Sequence, residues 1–195
     1  MNMIVNRRCS PYVDSANENN RGGRRKLRAY LHSNSSAFSG FNNWNIINCE
    51  NDSTVATFDK NNPGYVNLDW FMPGEGKLFK ITPTFVTGGT LVCNESISNV
   101  NINCDSTVYN NGYNITLGTG TTINFADNAE IIMEGGSFTS GTNIETSNLQ
   151  VILTAKNNVW QGLNLSECPA VYIYNTKFEK PDTAQYLLEL TDCYD

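Results

Sequence analysis

Two groups of side chains have the types and spacing to do chemistry. They are the aromatics Trp160, Tyr172 and Tyr174, and the carboxylates Asp127, Glu130 and Glu134. In Val171-Tyr172-Ile173-Tyr174 apolar residues alternate with tyrosines, so a strand here turns Val171 and Ile173 inward and both tyrosines outward. Flat rings on a rigid sheet present apolar area at low entropic cost, which suits stacking on a sugar face. Trp160 is expected on the same or a neighbouring circuit, with Asn and Thr nearby to hydrogen-bond hydroxyls. Trp160, Tyr172 and Tyr174 are therefore the expected carbohydrate-binding residues. The competing reading has Trp160 covering an edge and the tyrosines packed on a loop.

Hydrolytic cleavage of a polysaccharide needs two carboxyls about 5–9.5 Å apart across the bond. A lyase needs calcium held by several oxygens and a Lys or Arg base. Asp127, Glu130 and Glu134 fall around one corner, yet no Arg follows Tyr30, and Lys156 is the only Lys between Lys80 and Lys177. A solvated acidic corner is expected. His32 is the only histidine and lies in a polar stretch, which leaves no Ser-His-Asp or Cys-His arrangement in the body of the chain. Six cysteines (Cys9, Cys49, Cys93, Cys104, Cys168, Cys193) without a Cys-x-x-Cys pair make a zinc site improbable. Gly118-Thr119-Gly120 matches no phosphate-binding motif. No catalytic residue, no metal and no cofactor is expected.

These side chains need a scaffold, and the composition indicates a β one. Charged residues reach only 16%, against about 25% in ordinary soluble domains. Asn, Thr, Ser and Gly take their place and favour tight turns over helix surfaces. The net charge of −6 hides a division: Arg7, Arg8, Arg21, Arg24, Arg25, Lys26 and Arg28 face only Asp14 and Glu18 in the first thirty residues. The acidic remainder argues against a nucleic-acid partner, which needs clustered cations. A basic nucleic-acid-binding tail over Arg21–Arg28 is the weakest of the functional readings. No run reaches membrane-spanning length, so membrane insertion is not expected.

Three regions are expected. Residues 1–40 read as a basic, polar linker or partial segment, with at most a helical turn or two over Lys26–His32. Residues 41–86 read as a small antiparallel module with strands at Trp44–Ile47 and Thr54–Phe58. There Val66, Leu68 and Trp70 face one side, and a hairpin turns at Pro73-Gly74-Glu75-Gly76. From residue 87 to 195, short β-branched and aromatic runs recur between Gly, Asn and Asp. They are Asn114–Leu117, Thr121–Phe125, Glu130–Met133, Leu149–Leu153, Gly162–Leu165 and Val171–Phe178. Leu163-Asn164-Leu165-Ser166-Glu167-Cys168 returns 25 residues later as Leu188-Glu189-Leu190-Thr191-Asp192-Cys193. Such periods mark solenoids, whose circuits bury apolar sides only by stacking. Cys168 and Cys193 would then lie one circuit apart, close enough for a disulfide, although a ladder of reduced, buried thiols is favoured. An inward Ile123→Asp is expected to abolish folding, and an outward Asn124→Asp to matter little.

The segment Trp70 to Ile81 resembles the last hairpin of β-sandwich modules that follow catalytic domains in large secreted bacterial glycosidase-like and surface proteins, which implies an upstream domain. Ile115-Thr116-Leu117-Gly118-Thr119-Gly120-Thr121-Thr122-Ile123-Asn124-Phe125, with Ile131-Ile132-Met133-Glu134-Gly135-Gly136-Ser137-Phe138, resembles the right-handed parallel β-helix repeats of bacterial surface proteins. Trp160-Gln161-Gly162-Leu163 resembles the Trp-x-Gly-Ile element that opens a coil in them. The resemblance implies the pectate-lyase-like superfold, which hosts lyases, hydrolases, adhesins and stalks. The expected fold is all-β: a right-handed single-stranded parallel β-helix, truncated at its C-terminal end, after a short antiparallel sheet or sandwich remnant. The expected function is a non-catalytic structural, adhesive or glycan-contacting fragment of a secreted or cell-surface bacterial protein, monomeric within a longer polypeptide. The runner-up is part of a polysaccharide lyase or glycoside hydrolase whose catalytic coils lie outside the chain.

Overall fold

The computed structural model describes residues 2–5, 25–31, 40–62, 64–72, 75–142, 149–180 and 187–193. The chain divides into two compact units, Met1–Ser33 with Trp44–Thr82, and Asn34–Asn43 with Pro83–Asp195. Among the described residues no helix is long and apolar enough to cross a membrane.

The first unit contains β1 (Asn2–Val5), β2 (Arg25–Leu31), β3 (Asn43–Asn48) from Trp44 on, β4 (Ser53–Asp59), β5 (Gly64–Phe71) and β6 (Gly76–Pro83) as far as Thr82. A four-stranded sheet has the order β1-β6-β3-β4, and β2 pairs antiparallel with β5 in a separate ribbon. All six residues of the central β3 are buried, so Trp44 and Ile46 cover one face and Ile47 the other. Asn45 is tolerated there because its Oδ1 accepts a 2.8 Å bond from Thr57 Oγ1.

Four expectations change here. Within residues 1–40, read as linker, β1 pairs antiparallel with β6 and β2 with β5; His32 and most of the arginines lie outside the described residues. Lys26–Leu31 is strand, not helix. The strands flanking Pro73–Gly76 enter different sheets instead of pairing as a hairpin. Trp70 also leaves the Val66–Leu68 face. It is 46% exposed while Phe71 is fully buried. A register shift between Lys26 and Arg28 interrupts the β2–β5 ladder and breaks the two-residue alternation on which the expected facing relied.

The second unit opens with α1 (Thr84–Thr87) and continues in thirteen short strands. One sheet takes β7 (Gly89–Thr90), β10 (Val108–Tyr109), β13 (Glu130–Glu134), β16 (Gly162–Ser166) and β19 (Leu188–Thr191). A second takes β8 (Glu95–Ile97), β11 (Ile115–Leu117), β14 (Ser137–Ser140) and β17 (Ala170–Ile173). The third takes β9 (Asn101–Cys104), β12 (Thr122–Phe125), β15 (Val151–Ala155) and β18 (Thr176–Phe178). Each sheet uses every third strand, and its neighbours run parallel. The unit is all-β with three parallel sheets, an arrangement compatible with a parallel β-helix.

Register turns the sequence alternation into columns. Val108, Ile131 and Leu163 align and are buried, as are Ile115 with Phe138 and Ile123 with Leu153. Each such side chain gains about 1.5–3 kcal/mol by leaving water. Parallel neighbours need a change of direction between strands, and Asn99, Asn111, Asn128, Glu167, Asn175 and Asp192 supply it at positive φ. The 25-residue echo appears in the pairing itself: Leu163 aligns with Leu188 and Leu165 with Leu190.

Candidate functional site

The run read as one strand over Val171–Phe178 breaks into β17 and β18 around Asn175, whose φ is 38°. Tyr172 therefore lies in β17, and Tyr174 lies just past its end. Tyr172 points outward and is 48% exposed; Tyr174 is half-buried. Their rings are parallel within 7°, with centroids 6.1 Å apart. Beneath Tyr172, the outward column of the same sheet continues with Thr139, Thr116 and Ser96, all hydroxyl-bearing. The platform is held at its backbone. Tyr174 N donates to Ser140 O at 2.7 Å, and Thr176 Oγ1 donates to Tyr174 O at 2.7 Å. Ser140 Oγ and Thr176 Oγ1 lie 2.7 Å apart and share a hydrogen bond. Among the described residues β17 is the outermost strand of its sheet.

Trp160 is not part of this surface. It is fully buried, stacked on Phe125 at 4.6 Å and 8° and on Phe178 at 6.4 Å and 4°. Its Nε1 donates to Glu179 O at 2.9 Å, which satisfies the one polar atom of the indole. The expectation that Trp160 contacts carbohydrate fails because no ring face is left open. The in-register neighbour of Phe125 on the next strand is the small Ala155, and the indole occupies the space over Phe125 that a larger residue there would have filled.

The three acids sit in different surroundings. Asp127 is exposed and accepts two bonds from Asn158, N to Oδ1 at 3.1 Å and Nδ2 to Oδ2 at 3.0 Å. These bonds hold its pKa below the usual carboxylate value. Glu130 is pushed the other way, first by partial burial and then by the charge of Glu189 on β19. Glu134 is exposed. Among the described residues no group of three or more His, Cys, Asp or Glu could hold a metal ion.

A second polar cluster went unread in the sequence. Glu95 occupies the inward column of Ile115 and Phe138, 1% exposed at the first strand of its sheet. Its Oε1 accepts from Asn42 N at 2.8 Å and Ser96 N at 3.1 Å. Its Oε2 accepts from Asn43 N at 3.0 Å and Asn43 Nδ2 at 3.1 Å. Asn43 Oδ1 in turn accepts from Val92 N at 2.8 Å and Cys93 N at 3.1 Å. Burial raises the Glu95 pKa despite these four donors, which oppose the shift. The cluster lies on β8, the outermost described strand of its sheet, and satisfies backbone N–H groups beside it. Aligning Glu95-Ser96-Ile97 with Ile115-Thr116-Leu117 would have exposed it, as an acid stands where the next circuit has Ile.

Comparison with family models, with curated proteins and with solved structures finds no match to this chain.

Proposed function

We propose that the second unit is a right-handed, single-stranded parallel β-helix of the pectate-lyase-like kind. On this reading it serves a secreted or cell-surface bacterial protein as a non-catalytic structural or adhesive module that contacts neutral glycan through Tyr172 and Tyr174. The observation that carries the binding role is the pair of parallel, partly exposed rings 6.1 Å apart on a hydrogen-bonded backbone. Two parallel, partly exposed rings fixed in advance lose little entropy when a sugar chain packs against them. The Thr139 and Thr116 hydroxyls beside them supply polar contacts. Net charge of −6 repels uronates, which selects neutral sugars. The fold half of the reading is supported by strands entering three parallel sheets in rotation, for which a right-handed crossover is the sterically favoured hand.

A glycan array followed by titration of the best hit tests the binding role. The protein is expected to bind a neutral polysaccharide. Removing both rings (Tyr172→Ala with Tyr174→Ala) is expected to weaken binding by roughly a hundredfold, taking about 1.5 kcal/mol per ring. Equal binding by the double variant, or no neutral-glycan signal from the unmodified protein, would refute it. Release of reducing or unsaturated sugar ends would refute the non-catalytic part.

A further inference from the structure

The repeated Glu-Cys and Asp-Cys ends of β16 and β19 give the two thiols matching surroundings. Ser166 aligns with Thr191 in the parallel ladder, and the next residues, Glu167 and Asp192, both turn left-handed, with φ of 53° and 51°. Cys168 and Cys193 follow at the same step of the two circuits, so their Cα–Cβ bonds leave similar backbones in similar directions. Parallel strands are spaced about 4.7–4.9 Å apart, inside the Cα–Cα range of about 4.4–6.8 Å that a disulfide spans. The side chains contact each other, and each also points at carbonyls of its own circuit and the preceding one. Cys168 Sγ donates toward Ser166 O at 3.5 Å and Gly135 O at 3.6 Å. Cys193 Sγ donates toward Thr191 O at 3.5 Å and Leu165 O at 3.3 Å. Both are free thiols in this structure. Cys168 is fully buried, whereas Cys193, on the last described circuit, is partly open. Cys104 makes a useful contrast: it is buried in register with Phe125, with no thiol at the equivalent position one circuit on.

We propose that Cys168 and Cys193 are an oxidisable pair, closed to a disulfide by exchange with a small-molecule disulfide, and that the bond fastens β19 to β16. Access sets the order of events. The Cys193 thiolate attacks one sulfur of the small disulfide, forming a mixed disulfide and releasing one thiolate. Cys168 then loses its proton and attacks the Cys193 sulfur, expelling the second thiolate. Two protein thiols and one disulfide become one protein disulfide and two small thiols, and the two protein protons end on the leaving groups. Burial and the neighbouring Cys193 raise the Cys168 thiol to about 11, so the second step is the slow one at neutral pH. The linkage ties β19, where Leu190 is 51% exposed and which among the described residues has β16 as its one sheet neighbour, to that strand.

The test treats the whole chain with oxidised glutathione under native conditions, then digests it with trypsin without reduction. Cleavage after Lys156 and Lys177 places Cys168 in residues 157–177 and Cys193 in residues 178–195, the Lys180-Pro181 bond being resistant. A cross-linked pair of these peptides, lost on reduction and absent from Cys193→Ser, is the expected result. The mixed disulfide at Cys193 should appear first and decay as the cross-link grows, and faster at pH 9 than at pH 7. Hydrogen exchange of the Leu188–Thr191 amides should slow by about tenfold on oxidation, as local opening is suppressed. Cys193→Ser changes a partly open residue and so keeps the experiment interpretable if Cys168→Ser misfolds. Glutathione left on Cys193 with no cross-link, cross-links involving the other cysteines instead, or unchanged exchange at β19 would overturn the proposal.

Discussion

Placing a methyl group at Gly141 tests whether the tyrosine platform depends on close approach of neighbouring circuits. Gly141 and Gly112 both adopt left-handed backbone, with φ of +74° and +79°. At Gly112 an added Cβ meets nothing within 4 Å; at Gly141 it would lie 1.9 Å from Tyr174 O and 2.8 Å from Tyr174 C. Both Ala variants share the left-handed penalty of about 1–2 kcal/mol. Both recover about 0.4–1 kcal/mol through a less flexible unfolded chain. Gly112→Ala is therefore expected to cost about 1 kcal/mol. Gly141→Ala must also displace a carbonyl held by the 2.7 Å Thr176 hydroxyl bond, in a peptide whose Tyr174 N is bound to Ser140 O at 2.7 Å. Such overpacking adds about 1–3 kcal/mol, for a total near 2–4. Urea unfolding of both variants measures the difference directly. Because the displaced group is the backbone of Tyr174, Gly141→Ala should also weaken glycan binding while Gly112→Ala leaves it intact. Equal stabilities for the two variants would refute the close-packing argument, since their backbone angles match and only the contact differs.

Two further substitutions probe the columns and the Glu95 cluster. Ile123→Asp places a carboxylate in a fully buried column and is expected to abolish cooperative unfolding in circular dichroism. Asn124→Asp is no longer expected to be silent: Asn124 Nδ2 donates to Asn101 Oδ1 at 2.9 Å and Ile102 O at 3.0 Å, and losing both bonds should cost about 1–2 kcal/mol. Stability equal to that of the unmodified protein would mean these amide bonds contribute nothing. Because the Glu95 pKa is raised in the folded state, the folded protein holds that proton more tightly than the unfolded chain. Its stabilising share is complete below the unfolded value of about 4.3 and is lost as pH rises through the folded value. The stability of the unmodified protein minus that of Glu95→Gln should therefore fall from pH 4 toward pH 7, and a rise over that range would contradict the burial argument.

The columns were legible because they repeat. Leu163–Ser166 and Leu188–Thr191 carry the same alternation 25 residues apart, and the ladder pairs them residue for residue. Ile115–Leu117 and Thr122–Phe125 show inward apolar residues at every second position, and these are the buried ones. Tyr172 was readable on the same rule, since only alternation was needed to place it outward. The shortest strands were not readable. Val108–Tyr109 has two residues, too few for any period, and Glu95–Ile97 opens with an acid where the pattern demands an apolar residue.

What stayed hidden depends on contacts between strands joined by unequal lengths of chain, which no local pattern encodes. Ile115 aligns with Phe138 after 23 residues, but Ile123 aligns with Leu153 after 30. Trp160 stacks on Phe125, and a tryptophan that reads as surface locally becomes core beside a small Ala155 one strand on. The same logic governs Glu95. An ionisable residue at an inward position is tolerable where backbone donors meet it, and Asn42, Asn43 and Ser96 provide them. An acid inside one column and a small residue inside another are thus both marks of stacking. Each says what lies on the neighbouring circuit more than it says anything of its own strand. The aromatic surface on Tyr172 and Tyr174 is the converse case, an outward position read from its own strand. The backbone under Tyr174 is nevertheless held from the neighbouring strand, through Ser140 O and the bare Cα of Gly141.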